Sequence, residues 1–233
     1  MKALLLAAGF GTRLRPLTDS IPKCLVPVRG KPLLEYWLDL LFMGGIDAAL
    51  INTHYLAGRV REFAAATRWR NRITLVHEDA LLGTGGTVLH NREYFAGDAF
   101  LVAHADNLTH FDVQAFRDRH ARRPPGTAIT MMTFTTDAPQ ASGIVVENPA
   151  GIVTEFHEKV AQPPGNRANA AVYIFETEVI AFLASLGRPV IDLSTEVLPR
   201  FLGRICSFHN ATYHRDIGTH ESLRKAELEY PRY

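Results

Sequence analysis

An apolar run, Leu4-Leu5-Leu6-Ala7-Ala8, passes directly into Gly9-Phe10-Gly11-Thr12-Arg13-Leu14-Arg15-Pro16-Leu17-Thr18, with Pro22-Lys23 and Pro27 close behind. The pattern reads as a strand over residues 2–7 that leaves the sheet through a tight, basic turn. Glycines at 9 and 11 let backbone N–H groups come close to an anion. Arg13 adds a forked pair of donors, and Lys23 adds a point charge a short loop away. The segment reads as a grip for a nucleoside triphosphate. Two better-known phosphate loops do not fit. A dinucleotide fingerprint needs a third glycine three residues after Gly11, where Leu14 stands, and the string G-x-x-x-x-G-K-[ST] does not occur.

Beyond the turn, apolar runs alternate with longer amphipathic stretches, the mark of an α/β fold with a mixed, mainly parallel central sheet flanked by helices. Helices are expected over residues 33–42, 57–66, from about 85, and over 113–121, 178–186, 195–201 and 220–229. Strands are expected over 48–52, 73–76, 99–103, 128–133, 143–147, 153–157, 170–175 and 205–208. The expectation is one Rossmann-like domain over 1–233, with a nucleotide-binding part at 1–122 and a sugar-phosphate-binding part at 123–233. A formal charge of +1 gives no footprint for nucleic acid or a membrane surface, so any phosphate site must be local. The two cysteines, Cys24 and Cys206, cannot form a disulfide framework, which suits a cytoplasmic setting. No apolar stretch is long enough to span a bilayer, and residues 1–8 are too short to be a signal peptide. The ten histidines lack zinc-site spacing.

The run L-A-A-G-x-G-T-R-L-x-P-L-T at 6–18, together with Pro22-Lys23-Cys24-Leu25-Val26-Pro27 and Gly30-Lys31-Pro32-Leu33-Leu34-Glu35-Tyr36, resembles the opening of the sugar-1-phosphate nucleotidylyltransferases. Later blocks extend the resemblance to Asp216-Ile217-Gly218-Thr219, so it covers nearly the whole chain. It implies an enzyme that joins a nucleoside triphosphate to a sugar 1-phosphate, releases pyrophosphate and requires Mg2+. Arg13, Lys23 and Asp106 would be catalytic. Ala8, Gly9, Gly11, Thr12, Arg13, Lys23, Glu78, Gly83 and Gly85 would contact the nucleotide, Glu158, Lys159 and Asn169 the sugar phosphate, and Asp106 with Asp216 the metal.

The residues themselves suit these roles. Asp106 follows an apolar strand at its carboxyl end, where open α/β sheets bind ligands, although an aspartate there could equally cap a turn. Asp216 is its counterpart, or a charge complementing a helix that starts after Thr219. Two carboxylates suit magnesium, which keeps waters and takes phosphate oxygens for the rest of its shell. The Glu158-Lys159 pair could hold a phosphate and a sugar hydroxyl, or be an exposed ion pair. Ala105 and Ala171 stand where similar proteins carry glycine. Glu78 offers a two-point acceptor to the N1–H and N2–H2 of guanine. Gly85 could equally be a helix start without a ligand.

The string Leu82-Gly83-Thr84-Gly85-Gly86 is most similar to guanylyltransferases for mannose or manno-heptose phosphates. GTP and a sugar 1-phosphate of that type are therefore the expected partners. A uridylyl- or thymidylyltransferase, or a regulatory protein that binds nucleotide sugars without turning them over, is the alternative. Similar proteins are often homodimers, which leaves a homodimer as an open expectation.

Overall fold

The computed structural model of the protein describes residues 1–95 and 97–231. Its contacts divide into two units that interleave along the chain: Met1–Leu81, Ala103–Val113 and Thr212–Tyr233 form one, and Leu82–Val102 with Gln114–Ala211 form the other. The partition therefore does not follow a single cut at residue 122.

In the first unit the strands Lys2–Leu6, Ala48–Thr53 and Ile73–His77 pair in parallel, with Leu6 opposite Asn52 and Thr53 opposite His77. Parallel neighbours need crossovers, and the helices Leu33–Met43 and Ala57–Ala66 supply them. The first helix forms because Leu33, Leu34, Trp37, Leu38, Leu41 and Phe42 recur at helical spacing and are all buried. Burial of each such side chain contributes roughly 1.5–3 kcal/mol. The helix stops at Gly44, whose N–H bonds the Leu40 carbonyl at 3.1 Å.

One element of this unit is illegible in the sequence. The short segments Asn107–His110 and Tyr213–Asp216 pair as an antiparallel ribbon in which Asp216 lies opposite Asn107. Thr219 then caps the helix His220–Glu229 in a reciprocal capping box with Ser222. A small apolar cluster of Leu14, Val26, Val28, Leu33, Leu108, Ile217, Ala226 and Tyr230 joins the glycine turn, the ribbon and this last helix.

In the second unit the strand Ile129–Thr135 pairs antiparallel with Arg167–Phe175 and parallel with Ile205–His209, while Gly143–Glu147 pairs antiparallel with Val153–Glu158. The Arg167–Phe175 strand bulges between Asn169 and Tyr173. Helices Gly83–His90 and Thr177–Ser185 match expectation, but the helix expected over 195–201 is not a regular one. A π turn over Leu193–Val197, capped by the Asp192 side chain, gives way to a 3-10 turn over Leu198–Phe201. Pro199 has no N–H to continue an α-helical ladder. Together these elements give the α/β class and the mixed sheet that the patterning implies. Among the described residues no helix is long and apolar enough to cross a membrane.

Candidate functional site

The carboxyl ends of the three parallel strands bring Ala7, Asn52 and Glu78 to one edge of the first unit, the position where open α/β sheets bind ligands. The Ala105 N–H bonds the Leu6 carbonyl at 3.0 Å, which sets Asp106 beside the same edge. Ala105 is fully buried, so the alanine found in place of the usual glycine is absorbed by packing.

The glycine turn is braced from several sides. Gly11 has φ +65°, and a Cβ there would lie 3.0 Å from both Lys23 Cβ and Thr18 Cγ2, so only glycine fits without strain. The Thr18 hydroxyl donates to the Gly11 carbonyl at 2.8 Å, and the Tyr55 hydroxyl donates to the Thr18 carbonyl at 3.0 Å. Ala8 is buried while Gly9 and Thr12 are exposed. The Arg13 side chain, 68% exposed, extends into solvent with Nη2 3.8 Å from Asp216 Oδ2.

Lys23 is the centre of the arrangement. Its ammonium donates to Asp106 Oδ2 at 2.6 Å and to Asp216 Oδ1 at 3.4 Å, although the residue is only 8% exposed. The ribbon makes this possible, because the Ile217 N–H bonds the Asp106 carbonyl and so locks the two aspartate segments together. Burial opposes charge on Lys23, but the two carboxylates outweigh it and raise its pKa. Burial likewise pushes the Asp106 carboxyl upward, and the Lys23 ammonium, with His104 adding to it, brings the carboxyl below its ordinary value. Gly218 leaves room for this group: a Cβ there would lie 2.8 Å from both Arg13 Nη2 and Asp216 Oδ2.

Two carboxylates converging on one cation form a donor set of hard oxygens. Among the described residues no cluster of three or more His, Cys, Asp or Glu side chains could hold a metal. An ion held here would take the rest of its shell from water or from a bound phosphate, a habit that fits magnesium and not a structural zinc ion.

Glu78 is 4% exposed and Asn52 3% exposed. Asn52 Nδ2 donates to Glu78 Oε1 at 3.0 Å, and the Ala7 N–H donates to Asn52 Oδ1 at 2.7 Å. The Glu78 backbone is held by its N–H on the Thr53 carbonyl, at 2.9 Å. Asn52 escapes sequence reasoning because it ends an apolar strand, where a single polar residue reads as a boundary.

The second unit holds the other expected residues. Gly85 is buried, its N–H bonds the Ile191 carbonyl at 2.9 Å, and a Cβ on it would lie 2.9 Å from Ile191 Cγ2. Gly83 has φ +72°, with the Ile191 carbonyl oxygen 2.5 Å from where its Cβ would be. Close packing against the 189–191 segment thus accounts for both glycines within this unit. Lys159 Nζ pairs with Glu158 Oε1 at 3.1 Å, and the lysine side chain is 66% exposed. Asn169 braces the bulge: its Nδ2 donates to the Tyr173 hydroxyl at 2.7 Å, and its Oδ1 accepts from the Ala171 N–H at 3.0 Å. Ala171 has φ +53°, so the position where similar proteins carry glycine keeps the left-handed backbone that glycine favours.

A glycine-basic turn at strand ends and a lysine shared by two aspartates, set on an α/β framework, bring together groups of the kind that can bind phosphate. The family model described as nucleotidyl transferase matches residues 2–232, and the chain belongs to that family. It is 32% identical over 235 residues to the mannose-1-phosphate guanylyltransferase of Mycobacterium tuberculosis, covering 99% of this chain and 64% of that protein. It is 31% identical over 216 residues to the UTP--glucose-1-phosphate uridylyltransferase of Synechocystis, covering 87% of this chain and 55% of that one. The chain thus spans between half and two-thirds of the length of these curated relatives. The structure of HddC from Yersinia pseudotuberculosis complexed with GMP-PN shares the fold, with a TM-score of 0.83, 24% identity, and 99% of each chain covered.

Proposed function

We propose that the chain is a sugar-1-phosphate nucleotidylyltransferase that transfers GMP from GTP to a manno-configured sugar 1-phosphate, with Mg2+ held by Asp106 and Asp216. The observation that carries this reading is Lys23, a buried ammonium presented by two carboxylates at the mouth of the glycine turn. A magnesium ion held by these carboxylates would supply Lewis-acid neutralisation of phosphate charge. The protein supplies the rest by placement and charge, as in phosphoryl transfer generally.

An oxygen of the sugar phosphate forms a bond to the α-phosphorus of GTP as the bond from that phosphorus to the β-phosphate bridging oxygen breaks. Pyrophosphate leaves with the electron pair, and a GDP-sugar remains. A phosphate monoester is already anionic near neutral pH, so no protein base is needed. Lys23, an ammonium held between the two carboxylates, offers charge to the α-phosphate. Arg13, exposed and forked, is suited to the departing pyrophosphate. Gly9, Gly11 and Thr12 offer backbone or hydroxyl donors to the phosphates, Glu78 accepts from the base, and Lys159 with Glu158 holds the sugar phosphate.

The similarity to the Mycobacterium tuberculosis guanylyltransferase supports GTP, and the nearly equal similarity to the Synechocystis uridylyltransferase supports a second reading in which UTP and glucose 1-phosphate are the substrates. A cytoplasmic enzyme is the natural setting for either. Pyrophosphate release with Mg2+ separates them when GTP and mannose 1-phosphate are compared with UTP and glucose 1-phosphate. The first pair should be at least about tenfold faster, a difference of roughly 1.4 kcal/mol in barrier. A UTP optimum would keep the reaction and replace the base, and no release with any pair would leave a binding protein.

A further inference from the structure

We propose that His54 and Phe10 brace the glycine turn against the strand end that carries Glu78, and so set the spacing between the two ends of the nucleotide site. The proposal rests on the reading of the turn as the phosphate grip and of Glu78 as the residue that meets the base. His54 and Phe10 are positioning residues in it, acting through the groups they hold.

The sheet order places the brace. The strand Ala48–Thr53 lies between Lys2–Leu6, which leads into the glycine turn, and Ile73–His77, which leads into Glu78. The first residue beyond the middle strand, His54, therefore stands between the two exits. Both backbone polar groups of Glu78 are engaged from there: its N–H bonds the Thr53 carbonyl at 2.9 Å, and its carbonyl oxygen lies 2.7 Å from His54 Nδ1. A carbonyl oxygen can only accept, so Nδ1 carries the proton of this bond, whichever charge the ring has. The imidazole, fixed at that edge, meets the Phe10 ring edge-to-face, with centroids 5.4 Å apart and planes at 88°. On Phe10 the Tyr55 ring adds a second contact, with centroids 5.5 Å apart.

These contacts serve the turn more than the core. Phe10 stands between Gly9 and Gly11 and is exposed despite its size. The parallel ladder reaches Thr53 and His77 without help from either ring. Gly11 has a brace of its own, through the Thr18 hydroxyl and the Tyr55 hydroxyl, in which neither Phe10 nor His54 takes part. Loosening Phe10 or His54 thus frees the position of the turn relative to Glu78 while the shape of the turn survives. A nucleoside triphosphate gains affinity over its parts because binding one end presents the other to its site, and that gain requires the two sites to be held at the spacing of the ligand.

The test is titration calorimetry on the wild type, Phe10→Ala, Phe10→Tyr and His54→Phe, with thermal melting as the check on folding. Each protein is titrated with whichever of GTP and UTP the wild type binds better, with the monophosphate of the same nucleoside, and with inorganic tripolyphosphate. Phe10→Ala removes the ring from the turn, Phe10→Tyr keeps it, and His54→Phe keeps a ring against Phe10 but cannot donate to Glu78. Phe10→Ala and His54→Phe are expected to weaken triphosphate binding by at least about tenfold, to hold both fragments within about threefold of the wild type, and to melt normally; Phe10→Tyr should match the wild type. The proposal is overturned if either folded variant weakens triphosphate binding by less than that, if the fragments lose as much as the triphosphate, or if Phe10→Tyr loses as much as Phe10→Ala. Where Phe10→Ala does not fold, His54→Phe decides, and if neither folds the contacts belong to the fold and the proposal fails. A wild type that binds the triphosphate no better than either fragment overturns the nucleotide-site reading and the brace with it, whereas a full advantage that both variants share removes the brace alone.

Discussion

The two groups of candidate residues are assembled in opposite ways. In the first unit, Lys23 meets carboxylates that stand 83 and 193 residues away in the sequence. In the second, Glu158 pairs with its immediate neighbour, and Asn169 bonds Tyr173 and Ala171 within its own strand. The first group exists only when the fold is complete, and its charges orient one another before any ligand arrives. The second is set by the backbone of one strand end and one bulge, and its lysine extends into solvent. Preorganised charge serves a transition state, whereas a flexible exposed cation serves capture of a substrate.

That contrast can be broken most forcefully at Asp106. Asp106→Asn removes a charge from the Lys23 pair while keeping its shape, and kcat should fall by about 10²–10³-fold with the fold retained. Steady-state kinetics beside a melting curve decides this, and an equal collapse of melting temperature would make the residue structural. Next in size, Lys159→Ala should raise KM for the sugar phosphate about 10–100-fold, leaving KM for the nucleotide and most of kcat in place. A kcat loss as large as that of Asp106→Asn would erase the proposed division of labour.

A smaller effect tests the bulge. Ala171 sits at φ +53°, so Ala171→Gly should relieve backbone strain by about 1 kcal/mol, partly offset by the greater freedom of glycine in the unfolded chain. Thermal melting should rise by roughly 2–4 °C or less. A fall would mean that the Asn169 brace depends on the alanine methyl.

The smallest effect concerns pH. His120 in the second unit is buried, with Nδ1 2.7 Å from Thr130 Oγ1 and Nε2 3.0 Å from Glu176 Oε1. Burial, followed by the Arg123 charge, lowers its pKa from 6.5 despite the opposing pull of Glu176. The neutral form is therefore the one that the fold favours. Its contribution is present above pH 6.5 and is lost as the pH falls below that value. Denaturant melts between about pH 7 and pH 5 should show wild-type stability declining, with a shallower decline in His120→Gln. The Lys23 centre has different windows. The lowered Asp106 carboxyl loses its contribution only as pH drops through its folded pKa, below the ordinary 3.8, and the raised Lys23 ammonium only above 10.5. Neither should bend the curve in the range where His120 titrates.

The difference in assembly also explains what could be read from the sequence. Leu33–Met43 is legible because its apolar spacing and its stop at Gly44 agree with burial, Ala57–Ala66 because Ala57, Val60 and Ala64 recur at helical spacing, and the glycine turn because its basic residues are close in sequence. Asp106 and Asp216 could be named through the family resemblance, but their meeting could not. The ribbon that joins them consists of Asn-Leu-Thr-His and Tyr-His-Arg-Asp, runs too short and polar to carry a strand signal. Asn52 was hidden for the complementary reason: its role lies in contacts with the ends of two neighbouring strands, which no local pattern records. The glycines at 83 and 85 illustrate the limit of motif reading, because close packing on Ile191 accounts for them without reference to a ligand.

The most direct test of the Lys23 centre is pyrophosphate release on mixing GTP, Mg2+ and mannose 1-phosphate, measured in parallel for the wild type and for Asp106→Asn. The wild type should release one pyrophosphate per GDP-sugar formed, and the variant, still folded, should do so at a rate at least about 100-fold lower. Turnover by folded Asp106→Asn within about tenfold of an active wild type would contradict the claim that the shared lysine and its two aspartates are the chemical centre.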